Sequence, residues 1–223
     1  MTTHDIGTRE DWRKAYEDLR AQEKELTRRA DELARQRQAL PWVPVTKEYR
    51  FQTNAGEKSL AELFNGRSQL IIRHFMHGPK TPEGCPGCTF ETDNLVGAVP
   101  HLAHRDVTFI LTSRSPLATL NAYKEHFGWD IDWVSMGDNG FNEDFYKLMY
   151  TPSAHRPAGQ GMLDVMELMA LSSFAFADGV VYHTYSAYDR GTDALNATWQ
   201  LLDRAPLGRG TTFEGWPRKR DEY

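Results

Sequence analysis

Only two cysteines occur among the 223 residues, so no framework of several disulfides holds this chain together. No apolar run approaches the roughly 20 residues of a membrane-spanning helix. Basic residues are not in excess either: 26 Lys and Arg stand against 31 Asp and Glu, for a formal net charge of −5. A surface built to neutralise a nucleic-acid backbone needs the opposite balance, so neither nucleic acid nor membrane is an expected partner. Internal repeats and low-complexity tracts are lacking. The basic run Arg218-Lys219-Arg220 is short and terminal, and reads as a solvated end. Met1-Thr2-Thr3-His4-Asp5 runs into charged residues where a secretory leader would be apolar, so a cytoplasmic location is expected.

What is present fits an ordinary globular protein: 40% hydrophobic and 26% charged residues. The two cysteines stand three apart, as Cys85-Pro86-Gly87-Cys88. A reducing compartment does not maintain so short a loop as a structural staple, and the closed ring would stabilise little. Redox chemistry or metal binding is the natural reading of the pair.

The pattern predicts one long helix over residues 9 to 39, with Thr8 as N-cap and Asp11 in the capping-box position. Trp12, Leu19, Leu26, Leu33 and Leu40 recur every seven residues; Tyr16 and Ala30 fill some alternating positions, but Glu23 and Arg37 fill others. The stripe serves either as an amphipathic helix lying on its own domain or as an arm that pairs with a second subunit. A homodimer through this helix is the expectation adopted. Leu40-Pro41-Trp42-Val43-Pro44 breaks the helix, which divides the chain into an arm, 1–40, and a domain, 41–223.

Strands then alternate with helices. Tyr49 and Phe51 mark a short strand, Asn54-Ala55-Gly56 a turn, and Ser59 caps a helical turn through Phe64. Gln69 to Met76 is a buried-type strand, followed by the dithiol and a helical stretch from about Cys88 to Ala103. Asp106 to Thr112 is a second buried-type strand. Ser115 and Pro116 fit the N-cap and first position of another helix. Trp133 to Met136 is a weaker strand, and residues 137–168 read as an irregular insertion with short helices. Leu171 to Ala177 and Val180 to Tyr185 flank Asp178-Gly179, a hairpin signal, and a last helix covers Asp193 to Leu202. Parallel pairs early and an antiparallel hairpin late give an α/β fold: a thioredoxin-like mixed sheet with flanking helices, plus the N-terminal arm.

Thiol–disulfide exchange needs a thiolate, and a helix N-terminus favours the anion. Cys85 is the candidate nucleophile at the helix tip, and Cys88, one turn on, the candidate resolving thiol. His74 ends the apolar strand and is a candidate proton-transfer residue beside Cys85, or else a hydrogen-bonded core histidine. Arg73 reads equally as an interior-edge charge or a thiolate stabiliser. His183 reads as a cross-strand surface residue. No cofactor is expected; the alternative is zinc or iron at Cys85 and Cys88 with a histidine, His74 or His77. Asp138 to Asp144 lacks the ligand spacing of a calcium loop. The aromatics Trp129, Trp133, Phe141, Phe145 and Tyr146 read as core or subunit interface.

Several blocks together carry a resemblance. Leu40-Pro41-Trp42-Val43, Phe75-Met76 with Gly78-Pro79, Glu83-Gly84-Cys85-Pro86 with Cys88, Arg105-Asp106-Val107-Thr108, His183-Thr184-Tyr185-Ser186, Arg190-Gly191 and Leu202-Asp203 resemble the DUF899 family. The resemblance implies a thioredoxin-like fold with its active site at the dithiol, and the loose name dithiol–disulfide isomerase. It supplies no substrate; an unknown protein, or a small-molecule thiol or disulfide, is the expected partner. Two departures from thioredoxins are visible. Pro86-Gly87 reverses their Gly-Pro order, and Leu168 to Ser172 lacks their cis-proline, so a trans peptide is expected there. Residues Phe51 to Phe64 also resemble peroxiredoxins, but their Pro-x-x-x-Thr/Ser-x-x-Cys pattern is not matched at Cys85 or Cys88. A thiol peroxidase, or a metal-binding or interaction module on a thioredoxin scaffold, is therefore the alternative to a CxxC oxidoreductase.

Overall fold

The computed structural model describes residues 5–150, 169–209 and 217–223, with backbone alone for residues 146–150. The chain divides into two compact units, Met1–Pro41 and Trp42–Tyr223.

The first unit is helix α1, Arg9–Gln38. Its predicted capping box forms: Thr8 Oγ1 accepts from the Asp11 N–H at 3.2 Å, and the Asp11 carboxylate accepts from the Thr8 N–H at 3.0 Å. Two unpaired donors at the helix start are thereby satisfied. None of the residues of α1 is buried. Trp12 and Leu26 stand 60% and 70% exposed, and the Trp12 and Tyr16 rings stack at 4.8 Å.

The second unit holds, among the described residues, one eight-stranded sheet and five further helices. The strands are β1 (Val43–Pro44), β2 (Arg50–Thr53), β3 (Gly56–Ser59), β4 (Gln69–His74), β5 (Val107–Ser113), β6 (Asp132–Ser135), β7 (Ala170–Ala177) and β8 (Val180–Tyr188). The helices are α2 (Pro86–Leu95), α3 (Val99–His104), α4 (Leu117–His126), α5 (Phe141–Tyr150) and α6 (Ala197–Leu202). The sheet order is β1-β8-β7-β4-β5-β6-β2-β3. At its centre β4 runs parallel to β5 and antiparallel to β7, and β7 turns back into β8. Four strands in the order β8-β7-β4-β5, with the parallel pair joined through α2 and α3, make this a thioredoxin-like fold. The β7–β8 turn is Asp178-Gly179, both at positive φ (51° and 77°), the backbone that matches the twist of a two-residue hairpin. The predicted insertion contains α5; residues 151–168 of it lie outside the described residues. Every peptide bond among the described residues is trans.

Side chains alternate along β4 and feed two cores. Leu70 and Ile72 face Phe51, Phe64, Phe141 and Phe174. Ile71 and Phe75 face the other way, toward Phe109, Leu111, Trp133 and the two cysteines. Each buried side chain of this size contributes about 2 kcal/mol by removal from water. Helices α2, α3 and α4 cover the second face, and α5 the first. The predicted 88–103 helix is broken by a tighter turn at Val96–Ala98. Ser115 is not the cap of α4: its hydroxyl bonds His77 Nδ1 at 2.9 Å, and α4 begins after Pro116 without a side-chain cap.

Candidate active site

Strand β4 ends at His74, and the chain loops back before entering α2. The Cys85 N–H donates to the Met76 carbonyl at 3.0 Å, which pins the loop to the strand end. Gly84 holds φ at +68°, and a Cβ there would lie 2.8 Å from the Tyr123 ring, so both conformation and space require glycine. Cys85 is the N-cap of α2, with extended backbone, and Pro86 takes the first helical position, where its missing N–H costs nothing.

The Cys85 sulfur accepts the Cys88 N–H at 3.4 Å, as a serine or aspartate cap would. Both cysteines are free thiols; Cys85 is 8% exposed and Cys88 fully buried. Hydrogen bonding from the Cys88 side chain, joined by the Cys88 and Gly87 N–H groups and the Arg73 charge, lowers the Cys85 pKa to about 6, against the opposing effect of burial. Burial and the neighbouring sulfur push Cys88 well above an ordinary thiol. Equivalent residues in sequence thus become a poised thiolate and a protected thiol.

Thr89 Oγ1 donates to the Cys85 carbonyl at 2.9 Å, so the Tyr123 hydroxyl at 2.8 Å must donate to Thr89. Burial raises the Tyr123 phenol to about 12, which keeps that proton in place.

Arg73, not His74, lies on the dithiol side of the sheet. Arg73 shares the face of Phe75, is 1% exposed, pairs with Glu91 on α2, and donates to the Ala170 carbonyl at 3.2 Å. Its charge favours the thiolate at both cysteines. His74 points to the opposite face and stacks on Phe141 at 5.4 Å. Its Nδ1–H donates to Asn142 at 2.9 Å, and Nε2 accepts from Ser172 at 3.1 Å. The row continues from Ser172 to Ser186 and on to His183, at 3.0 and 2.8 Å. Burial lowers the His74 pKa to about 4, so the ring is neutral and engaged at both nitrogens. The expectation of proton transfer from His74 to Cys85 is therefore corrected: strand alternation turns it away from the sulfur. His183 lies on that same far face, against Phe145 and Phe174.

Among the described residues no three His, Cys, Asp or Glu side chains converge as a metal site requires. The Asp138 to Asp144 stretch instead builds the start of α5: Asn139 Oδ1 accepts from the Phe141 N–H at 2.9 Å, and Asp144 accepts from Tyr49 at 2.8 Å.

Sequence reasoning missed Glu91, Tyr123 and Lys219. The Glu91 signal was present, since Glu91 follows Cys88 by three residues on one helix face. Arg218-Lys219-Arg220 is more than a solvated end. Lys219 Nζ donates to the Glu83 carbonyl at 2.6 Å, and Arg220 pairs with Asp93 at 3.0 Å.

Residues 1–223 match the family described as a bacterial protein of unknown function, DUF899. The chain belongs to the DUF899 family. No curated protein matches it. Among solved structures it is similar to a peroxiredoxin Q mutant of Xanthomonas campestris, at 14% identity and a TM-score of 0.48, over 73% of this chain and 97% of that one. Peroxidoxin BcpB of Mycobacterium tuberculosis gives 14% and 0.46, over 73% and 96%. A yeast mitochondrial 1-Cys peroxiredoxin gives 18% and 0.43, over 80% and 84%. No helix among the described residues of this DUF899 protein is long and apolar enough to cross a membrane.

Proposed function

We propose that this DUF899 protein is a thiol–disulfide oxidoreductase, with Cys85 as nucleophile and Cys88 as resolving thiol. The observation that carries the reading is the split between two neighbouring thiols. Cys85 caps a helix with its acidity raised toward pH 6, and Cys88 is buried and held protonated one turn away. The Cys85 thiolate attacks one sulfur of a substrate disulfide, forming a mixed disulfide and releasing the first thiolate, which takes a proton. Cys88 then gives up its proton and attacks the Cys85 sulfur, and the second substrate sulfur leaves. Two electrons pass from the dithiol to the substrate, and a second dithiol donor restores the starting state. Tyr123 and Thr89 fix the Cys85 backbone, and Arg73 supplies positive charge when the thiolate forms. A reduced dithiol of this kind suits a reducing compartment such as the cytoplasm.

Alkylation and mass spectrometry in graded thiol redox buffers test the reading. A Cys85–Cys88 disulfide with a defined midpoint is the expected result, and two thiols that stay unpaired at every potential would sink it. Peroxide consumption coupled to an external thiol would replace it with a thiol peroxidase. Stoichiometric metal dependent on both cysteines would replace it with a metal-binding module. The arm is read as a dimerisation element on the seven-residue recurrence of Trp12, Leu19, Leu26 and Leu33.

A further inference from the structure

The last described segment, residues 217–223, is tied to the loop that leads into Cys85 and to the helices beside it. Lys219 Nζ donates to the carbonyl of Glu83, two residues before Cys85, and lies 5.3 Å from the centre of the Tyr123 ring. Tyr123 is the wall that packs on Gly84 and bonds Thr89. Arg220 pairs with Asp93 on α2, donates to the Phe127 carbonyl at the end of α4, and lies over the Phe127 ring. Asp221 meets His126 Nε2 at 2.6 Å. A short strap is thus fastened to both helices that flank the site and to the loop that delivers the nucleophile. None of these partners is near it in sequence.

Thiolate attack requires the three sulfurs to approach a straight line, so access matters as much as acidity. The Cys85 sulfur has little open surface, since the residue is 8% exposed, and Cys88 has none. Lys219 and Tyr123 stand against Glu83 and Gly84, the residues that lead into Cys85, and would crowd a disulfide whose flanking backbone belongs to a folded protein. A low-molecular-weight disulfide needs only two sulfurs and a slim substituent.

We propose that the strap around Lys219 is a size filter that restricts the dithiol to low-molecular-weight disulfides and thiols. The inference rests on the oxidoreductase reading above. It assigns to residues 217–223 the choice of substrate class, separately from the chemistry of Cys85 and Cys88.

The test compares two reagents with one reacting group, methyl 2-pyridyl disulfide and a long polyethylene-glycol 2-pyridyl disulfide, on the reduced full-length protein. Release of pyridine-2-thione gives both rates. The wild type is expected to favour the small reagent by about tenfold or more over the ratio set by a free thiol, because access and not leaving group differs. The full-length triple variant Lys219→Ala, Arg220→Ala and Asp221→Ala should bring the ratio down to that of the free thiol, with the small-reagent rate within about twofold of wild type. Its circular dichroism and thermal midpoint report whether the fold is kept. If the fold is lost, the single variant Lys219→Ala, which keeps the Arg220 and Asp221 anchors, decides on the same ratio. A wild-type ratio equal to that of the free thiol, or a variant ratio unchanged from wild type, overturns the filter and leaves the dithiol chemistry standing. Failure of both reagents to oxidise the pair overturns both readings.

Discussion

The backbone N–H of Cys88 points at the sulfur of Cys85, 3.4 Å away. Cys88 therefore stabilises the thiolate of Cys85 through its backbone as well as its side chain. Alkylation of Cys85, followed by mass spectrometry, should rise with pH through a midpoint of about 6, well below an ordinary thiol. Cys88→Ala removes the largest stabilising contribution, the Cys88 side chain, and should move the midpoint up by about one unit or more. An unmoved midpoint would show that the helix end alone sets the acidity.

Arg73 and Glu91 form a pair with almost no solvent around the guanidinium. Arg73→Met leaves the Glu91 carboxylate without its cation and should cost about 3 kcal/mol by urea denaturation. It should also raise the Cys85 midpoint. Arg73→Met with Glu91→Leu removes the unpaired charge, so stability should recover while the raised midpoint persists. Recovery of both would mean that Arg73 acts on the thiol only through packing.

His74 gives an acid-side signature. Its folded pKa of about 4 lies below its unfolded value, so the neutral ring favours the fold. That contribution is complete above about pH 6.5 and is lost as pH falls toward 4, to a total of about 3 kcal/mol. Denaturation midpoints measured between pH 7 and 4 should fall, and His74→Gln should flatten the slope even though it starts less stable.

Gly84→Ala meets two obstacles at once, a positive φ and the Tyr123 ring at 2.8 Å. A loss of about 2 kcal/mol is expected. Because the strained residue adjoins the nucleophile, Cys85 alkylation should change as well. Adding Tyr123→Ala clears the contact but not the φ cost, so it should restore only part of the stability.

The arm is tested by sedimentation of the full chain against one that begins at Leu40. The full chain should sediment as a dimer and the shortened chain as a monomer. Equal monomeric masses would remove the pairing role.

Much of this was legible in the sequence, for physical reasons. The capping box of α1, the apolar run of β4 and the Asp178-Gly179 turn are local signals, and each forms where expected. The choice between Arg73 and His74 was not local. Alternation says that adjacent residues face opposite ways, but only the position of α2 decides which face holds the sulfur. Ser115 illustrates the same limit, since its hydroxyl bonds a histidine 38 residues away and not its own helix. Lys219 lies further still from its partner: 136 residues separate it from Glu83, and nothing in a basic triplet at a chain end announces such a contact.

The sheet margins carry a last consequence. One border is β1, two residues long with Pro44 unable to donate; the other is β3, which displays Glu57 and Lys58. Among the described residues neither edge offers a neighbouring chain a ladder long and neutral enough to copy, which disfavours strand polymerisation at both ends. The homodimer expected through α1 would not depend on either edge.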